Sequence, residues 1–167
     1  MTIRSAGGVV GTRDVPASVR ALGSLSRVDY GDHFALSADA EATPEQWARA
    51  MFGNVPSAVE TLLWRGFLGL RLDRRRSPDT VAGWRVGGRG EDWIRLEAAS
   101  WFLTGNLLVR AAGGEVSLAT LLRHDRPLGR VVWPPLSAVH RLLVPGVLRD
   151  AAAKVSTPRS GDREPRP

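Results

Sequence analysis

The sequence contains no cysteine. That removes disulfides, thiolate nucleophiles and cysteine-bound zinc together, and it fits a reducing, cytoplasmic compartment. Histidine is scarce, with three residues in 167 and no His-x-His or His-Glu-x-x-His spacing. A metal site needs three or four convergent ligands, so no metal is expected, nor any other cofactor. Lysine and tyrosine are almost missing: 22 of the 23 basic residues are arginine, and there is one tyrosine. Few groups therefore titrate between neutrality and the arginine range, so the pI of about 11.2 overstates a net charge of +6. A long apolar run is also lacking. The most apolar stretch, Val131 to Leu148, is interrupted by His140, Arg141, Pro134, Pro135 and Pro145, which argues against membrane insertion by a span of about 20 residues. Between Arg4 and Arg13 there is no apolar run of about seven residues, so no secretory leader is expected. No glycine-rich loop opens a helix and no Gly-x-Ser-x-Gly elbow occurs.

The remaining composition points to one domain. A chain of this length buries roughly 70% of the surface its unfolded form exposes, enough for a core that encloses a cavity. The positive charge is not gathered in one place. Residues 1–23 carry +2, residues 154–167 carry +2, and the body between them only +2, which argues against a nucleic-acid site. Arg over Lys with abundant Ala, Val and Gly reads as the bias of a GC-rich genome. Residues 1–23 are aperiodic and are expected as a mobile arm. Residues 154–167 are rich in Pro, Arg, Ser and Gly and are expected to be a disordered tail. The folded domain is placed at 24–153.

Within that domain Tyr30 to Ala38 reads as a strand. Thr43, Pro44 and Gln46 form a capping box with proline at the first helical position. After Gly53-Asn54, Pro56-Ser57 opens a second helix whose apolar residues, from Val59 to Leu70, follow helical spacing. The period then changes to two. Val81 to Val86 predicts one strand, Gly87 to Gly90 a turn, and Asp92 to Phe102 a longer strand with Ile94, Leu96 and Ala98 on one face and Arg95 and Glu97 on the other. Thr104-Gly105-Asn106 predicts a turn, Leu107 to Ala112 a strand, and Gly113-Gly114 a tight hairpin. Glu115 to His124 closes the meander, with Val116, Leu118, Thr120 and Leu122 inward. From about Leu128 helical spacing returns, with breaks expected at Pro134-Pro135 and Pro145. The fold class is α+β: a curved antiparallel sheet covered by a long C-terminal helix, two short helices after the first strand, and a cavity between sheet and helix.

Four stretches resemble a known family: Asp29 to Phe34, Pro44 to Phe52, Leu128 to Arg130, and His140 to Pro145. Over residues 24–153 the chain is similar to the START-like superfamily (SRPBCC, the helix-grip fold), and within it to the bacterial domain-of-unknown-function family 2867. It departs from that pattern at Asp125, at Val132-Trp133, and in lacking a proline just before His140. The resemblance implies a ligand-holding cavity and no particular reaction.

Several residues invite a chemical reading. His140 with Arg141 would face the cavity as a polar contact or acid/base, or would brace backbone freed by the nearby prolines. His124-Asp125 suggests an oriented imidazole, but adjacent strand residues face opposite ways. Asp29, Asp32 and His33 with another histidine would make an oxygen-rich metal site, for which the chain has too few ligands. Arg95 and Glu97, with Trp93 and Trp101, would hold an anionic group if their face lined the cavity; facing solvent, they are an ordinary polar surface. Arg65, Arg71 and Arg74 to Arg76 read as a solvated loop. The expected ligand is a small hydrophobic molecule, a lipid, polyketide or aromatic metabolite. The expected lining is Trp84, Leu96, Val109, Leu118, Trp133, Leu136 and His140. The alternatives are a cyclase- or hydratase-like enzyme using His140 or Glu97 in the same cavity, and an interaction domain with a filled core.

Overall fold

The computed structural model describes residues 7–53 and 62–157. The strands are β1 (Gly7–Val10), β2 (Tyr30–Ser37), β3 (Thr80–Val81), β4 (Trp84–Arg89), β5 (Trp93–Ala99), β6 (Leu103–Ala112) and β7 (Glu115–His124). The helices are α1 (Ala17–Arg20), α2 (Pro44–Phe52) and α3 (Pro127–Ser156). All seven strands join one curved antiparallel sheet in the order β1-β2-β7-β6-β5-β4-β3. The first strand in the body of the sheet, β2, thus lies beside the last, β7. Alternation decides the faces. Phe34 and Leu36 of β2, Ile94, Leu96 and Ala98 of β5, Leu107 and Val109 of β6, and Val116 and Leu118 of β7 point into the main core, which α2 and α3 cover.

The predicted elements are largely present, but their boundaries move for local reasons. The capping box forms in full, Thr43 Oγ1 accepting from the Gln46 amide and Gln46 Oε1 accepting from the Thr43 amide. Gly113 and Gly114 both have positive φ and make the two-residue β6–β7 hairpin. Val81 to Val86 is a second such hairpin instead of one strand: Ala82 and Gly83 both take positive φ between β3 and β4. The expected turn at Gly87 to Gly90 is wrong because Gly87 to Arg89 continue β4 through a bulge. These glycines serve close approach: a Cβ on Gly87 would fall 2.1 Å from Glu97 Cδ, and one on Gly88 3.0 Å from the Trp93 ring. Thr104 to Asn106 lie inside β6, and the chain turns earlier, at Ser100 to Phe102, where Ser100 Oγ accepts from the amides of Phe102 and Leu103.

Where the second short helix is expected, the described residues form a π-helical turn over Leu62–Phe67; the expected start at Pro56-Ser57 lies outside the described residues. The breaks expected in the last helix do not occur, for α3 runs unbroken through Pro134, Pro135 and Pro145. The carbonyls these prolines leave without a partner belong to Arg130 and Val131, both exposed, and Arg141, half-buried. On one side α3 buries Trp133, Ser137, Val144, Leu148 and Ala151. On the other, Val131, Val139 and Leu142 are exposed. Among the described residues α3 is the one helix long and apolar enough, by length and composition alone, to cross a membrane.

Residues 7–23 do not stand off as an arm. They add β1 to the sheet edge and lay α1 on the outer face, where Val15 and Val19 are buried with Leu108, Ala119 and Leu121. Asn106, fully buried, anchors the following segment by accepting from the Ser24 amide at 2.8 Å. The folded body also extends at the other end, with residues 154–156 closing α3; the expected tail beyond residue 157 lies outside the described residues.

Candidate functional site

A hollow of about 100 Å³ lies between the sheet and α3. Its floor is the inward face of two neighbouring strands, Leu103, Gly105 and Leu107 of β6 with Leu118, Thr120 and Leu122 of β7. Its roof is the inner side of α3, Trp133, Leu136, His140, Leu143, Val144 and Val147. The helical residues recur at steps of three and four, so they share one face. Trp84 and Trp64 close one side, packed edge to face at 5.5 Å. Gly105 is the only floor position without a side chain, and the end of the Trp84 ring lies 3.5 Å from where its Cβ would be.

One end of the hollow is polar. Asp32 lies directly opposite Thr120 in the β2–β7 register, and both side chains face inward. The Asp32 carboxylate is wholly buried. It accepts from the Tyr30 hydroxyl at 2.6 Å and from the Thr120 amide at 3.2 Å. His140 Nε2 comes down from α3 to 3.1 Å from Asp32 Oδ2 and 3.1 Å from Thr120 Oγ1. The Trp133 ring flanks both, 5.1 Å from Tyr30 and 5.6 Å from His140. Burial first, and then Asp32, push the Tyr30 phenol far above its usual range, so it stays a donor. The cluster ties β2, β7 and α3 together beneath an otherwise apolar cavity. Two further polar groups border it: the indole N–H of Trp84 and of Trp133 are buried without a hydrogen-bond partner.

Five expected lining residues, Trp84, Leu118, Trp133, Leu136 and His140, meet around the hollow. Leu96 and Val109 do not line it. Both face inward but sit in the closed core, where α2 packs on β5 and β6. Glu97 is corrected more sharply. Strand parity puts it on the outer face, bonded to Arg95 at 2.8 Å and paired with Arg85, so it cannot act in the cavity. Arg95 likewise spends its donors on Glu97 and on the carbonyls of Leu22 and Gly87, and Trp101 is exposed. His140 braces the sheet, not the proline-freed backbone, and Arg141 forms no ion pair among the described residues. Asp29 pairs with Arg27 and accepts from the His124 amide, and Asp125 binds Arg123 and Thr104. Among the described residues no group of three or more His, Asp or Glu converges. Asp32, Tyr30 and Thr120 were missed as a unit. The signal was there: Asp32 shares the parity of Phe34 and Leu36, which puts a carboxylate at a core position.

Titration elsewhere makes the fold acid-sensitive. His33 and His124 are held below the usual imidazole range, chiefly by burial. Hydrogen bonds from Arg27 and Arg49 hold Asp29 and Glu45 below the usual carboxylate range. In each case the unfolded chain takes up its proton at a higher pH than the folded chain, so stability is full above these ranges and is lost as pH falls. The urea midpoint should drop first below the imidazole reference of 6.5, and again below about 4. A midpoint unchanged between pH 8 and pH 5 would remove the histidines from this account.

No family model matches the chain, and no curated protein and no solved structure is significantly similar to it.

Proposed function

We propose that this is a START-like, helix-grip protein of the cytoplasm that holds one small, mainly apolar molecule between the sheet and α3. The observation that carries the reading is the hollow itself, lined by apolar side chains except at Thr120, His140 and the unpaired indole N–H groups of Trp84 and Trp133. Ligand sites combine these properties, an apolar wall for affinity and a few fixed polar groups for orientation. A filled-core interaction domain would have no such space. The size narrows the ligand. An apolar cavity of about 150 Å³ takes benzene, and drug-sized ligands need roughly 300–1,000 Å³. At about 100 Å³ the hollow is smaller than either, so the ligand is no larger than a small single ring, and a lipid or polyketide does not fit without rearrangement.

Native mass spectrometry of freshly purified protein, compared with a denatured sample, tests the proposal. A small adduct that disappears on denaturation is expected, and the Leu136→Trp variant, which fills the hollow, should lose it. Absence of any adduct after incubation with a metabolite extract would overturn the reading.

The fully buried Asp32 beside His140 favours one second reading. A carboxylate that orients an imidazole at a cavity wall is an acid/base arrangement. On that reading His140→Gln abolishes turnover and spares binding.

A further inference from the structure

We propose that the protein docks on an anionic membrane surface through the outward side of α3, lying on the bilayer and not crossing it. The inference is independent of the hollow and starts from what α3 leaves uncovered. Leu128, Val131, Pro135, Val139 and Leu142 follow one another at steps of three and four, so they share one side of the helix. All five are exposed, Val131 at 71% and Leu142 at 81%. A single exposed apolar residue is ordinary, but a continuous apolar stripe marks a surface that something covers. Between Arg130 and Arg149 the one charged residue of the helix is Arg141. Trp101, 61% exposed, stands near the first end of the stripe. Its turn supplies the Phe102 carbonyl that accepts from the amides of Asp125 and Arg126, just before α3. The opposite side of α3 buries Trp133, Val144 and Leu148 in the main core, so the helix cannot cross a bilayer without unfolding the domain.

The charges identify what covers the stripe. Arg126 and Arg130 flank its start, Arg141 its middle and Arg149 its end. None of these four side chains makes a hydrogen bond or ion pair among the described residues. Against them stand Asp150, beside Arg149, and Asp125, which Arg123 and Thr104 already hold. No acid sits in the first turn of α3. Arg126 and Arg130 therefore lie at the positive end of the helix dipole, where a cation costs stability and a nearby anion restores it. Unpaired arginines bordering an apolar stripe match the headgroups and acyl boundary of an anionic leaflet. A second copy of the chain does not match. Antiparallel pairing of two stripes would bring Arg130 towards Arg149, and parallel pairing would bring each arginine towards its own counterpart. The carbonyls of Arg130 and Val131, freed by Pro134 and Pro135, stay at the arginine end, within the hydrated headgroup layer.

Co-sedimentation of the full chain with phosphatidylcholine vesicles, with and without about one third phosphatidylglycerol, tests the proposal. Binding to the anionic vesicles should be at least about tenfold tighter, since each arginine near such a surface contributes about fivefold. It should weaken as salt is raised. Val131→Glu with Leu142→Glu should abolish binding. Both sites are exposed, so the fold, read by circular dichroism and the urea midpoint, should be kept. Arg130→Glu with Arg149→Glu should lower affinity for the anionic vesicles at least about twentyfold and leave binding to the neutral ones unchanged. Equal binding to the two vesicles, or binding to neither, would overturn the proposal. So would a concentration-dependent dimer in sedimentation velocity that Leu142→Glu dissociates, for then a second copy covers the stripe. A chain that carries a small adduct in native mass spectrometry but ignores vesicles would leave the ligand site standing and remove only the membrane.

Discussion

Asp32→Ala should destabilise the protein by about 3–5 kcal/mol, because several buried hydrogen-bond donors lose their acceptor together. Three donors converge on this carboxylate: the Tyr30 hydroxyl, the Thr120 amide and His140 Nε2. Alanine fills none of their needs, and the site is closed to solvent. Each donor left unsatisfied costs about 1–3 kcal/mol; Thr120 Oγ1 keeps one bond to His140, which holds the sum within the stated range. At about 2–4 °C per kcal/mol for a chain of this size, the melting temperature should fall by roughly 10 °C. Asp32→Asn keeps the volume and one carbonyl acceptor and should cost less. Urea unfolding of the three proteins measures these losses. A loss below about 1 kcal/mol for Asp32→Ala would mean that the cluster does not hold β2, β7 and α3 together.

Trp84→Ala should cost about 3–5 kcal/mol, the usual range for deleting a buried aromatic side chain. Trp84 is 3% exposed, stands edge to face against Trp64 and closes one side of the hollow. Its indole N–H has no partner, so part of the lost packing is offset by removing a dry donor, and the lower end of the range is expected. The distinctive consequence is chemical. The space vacated is continuous with the existing hollow, so added indole should occupy it. A ligand that binds only the folded state, present at about 100 times its Kd, restores about 2.7 kcal/mol. Thermal denaturation with and without indole reads this directly. A variant destabilised as expected but indifferent to indole would show that the walls collapse into the gap, and that the hollow is not a preformed receptor.

Much of the architecture was legible in the residues because it depends on local rules. The Thr43 box and Pro44 mark the start of α2 by hydrogen bonds that span three residues. Gly113-Gly114 marks a hairpin by the φ angles only glycine takes freely. Strand parity put Val116, Leu118, Thr120 and Leu122 inward and Ile94, Leu96 and Ala98 in the core, as observed. Two of the errors fell where a residue serves a distant partner. Gly87 and Gly88 read as turn glycines, yet they make room for Glu97 and Trp93 on the next strand. Val15 and Val19 read as part of an arm, since nothing nearby in the chain shows that Leu108 and Leu121 leave an apolar patch for them to cover.

The candidate site divides in the same way. By itself the sequence determined an α+β chain with an antiparallel meander, an apolar final helix, the inward face of the last strand, and His140 as a residue apart from the apolar positions around it. Only the tertiary structure decided that Asp32 meets Thr120 across the β2–β7 register, that α3 lowers His140 onto both, and that Glu97 belongs to the opposite face of the sheet from the cavity. Parity along a strand and spacing along a helix are set by the backbone of neighbouring residues, so they can be read one segment at a time. Cross-strand register and helix docking are chosen by the packing of the whole core, and that choice brings Tyr30, Asp32, Thr120 and His140 to one point.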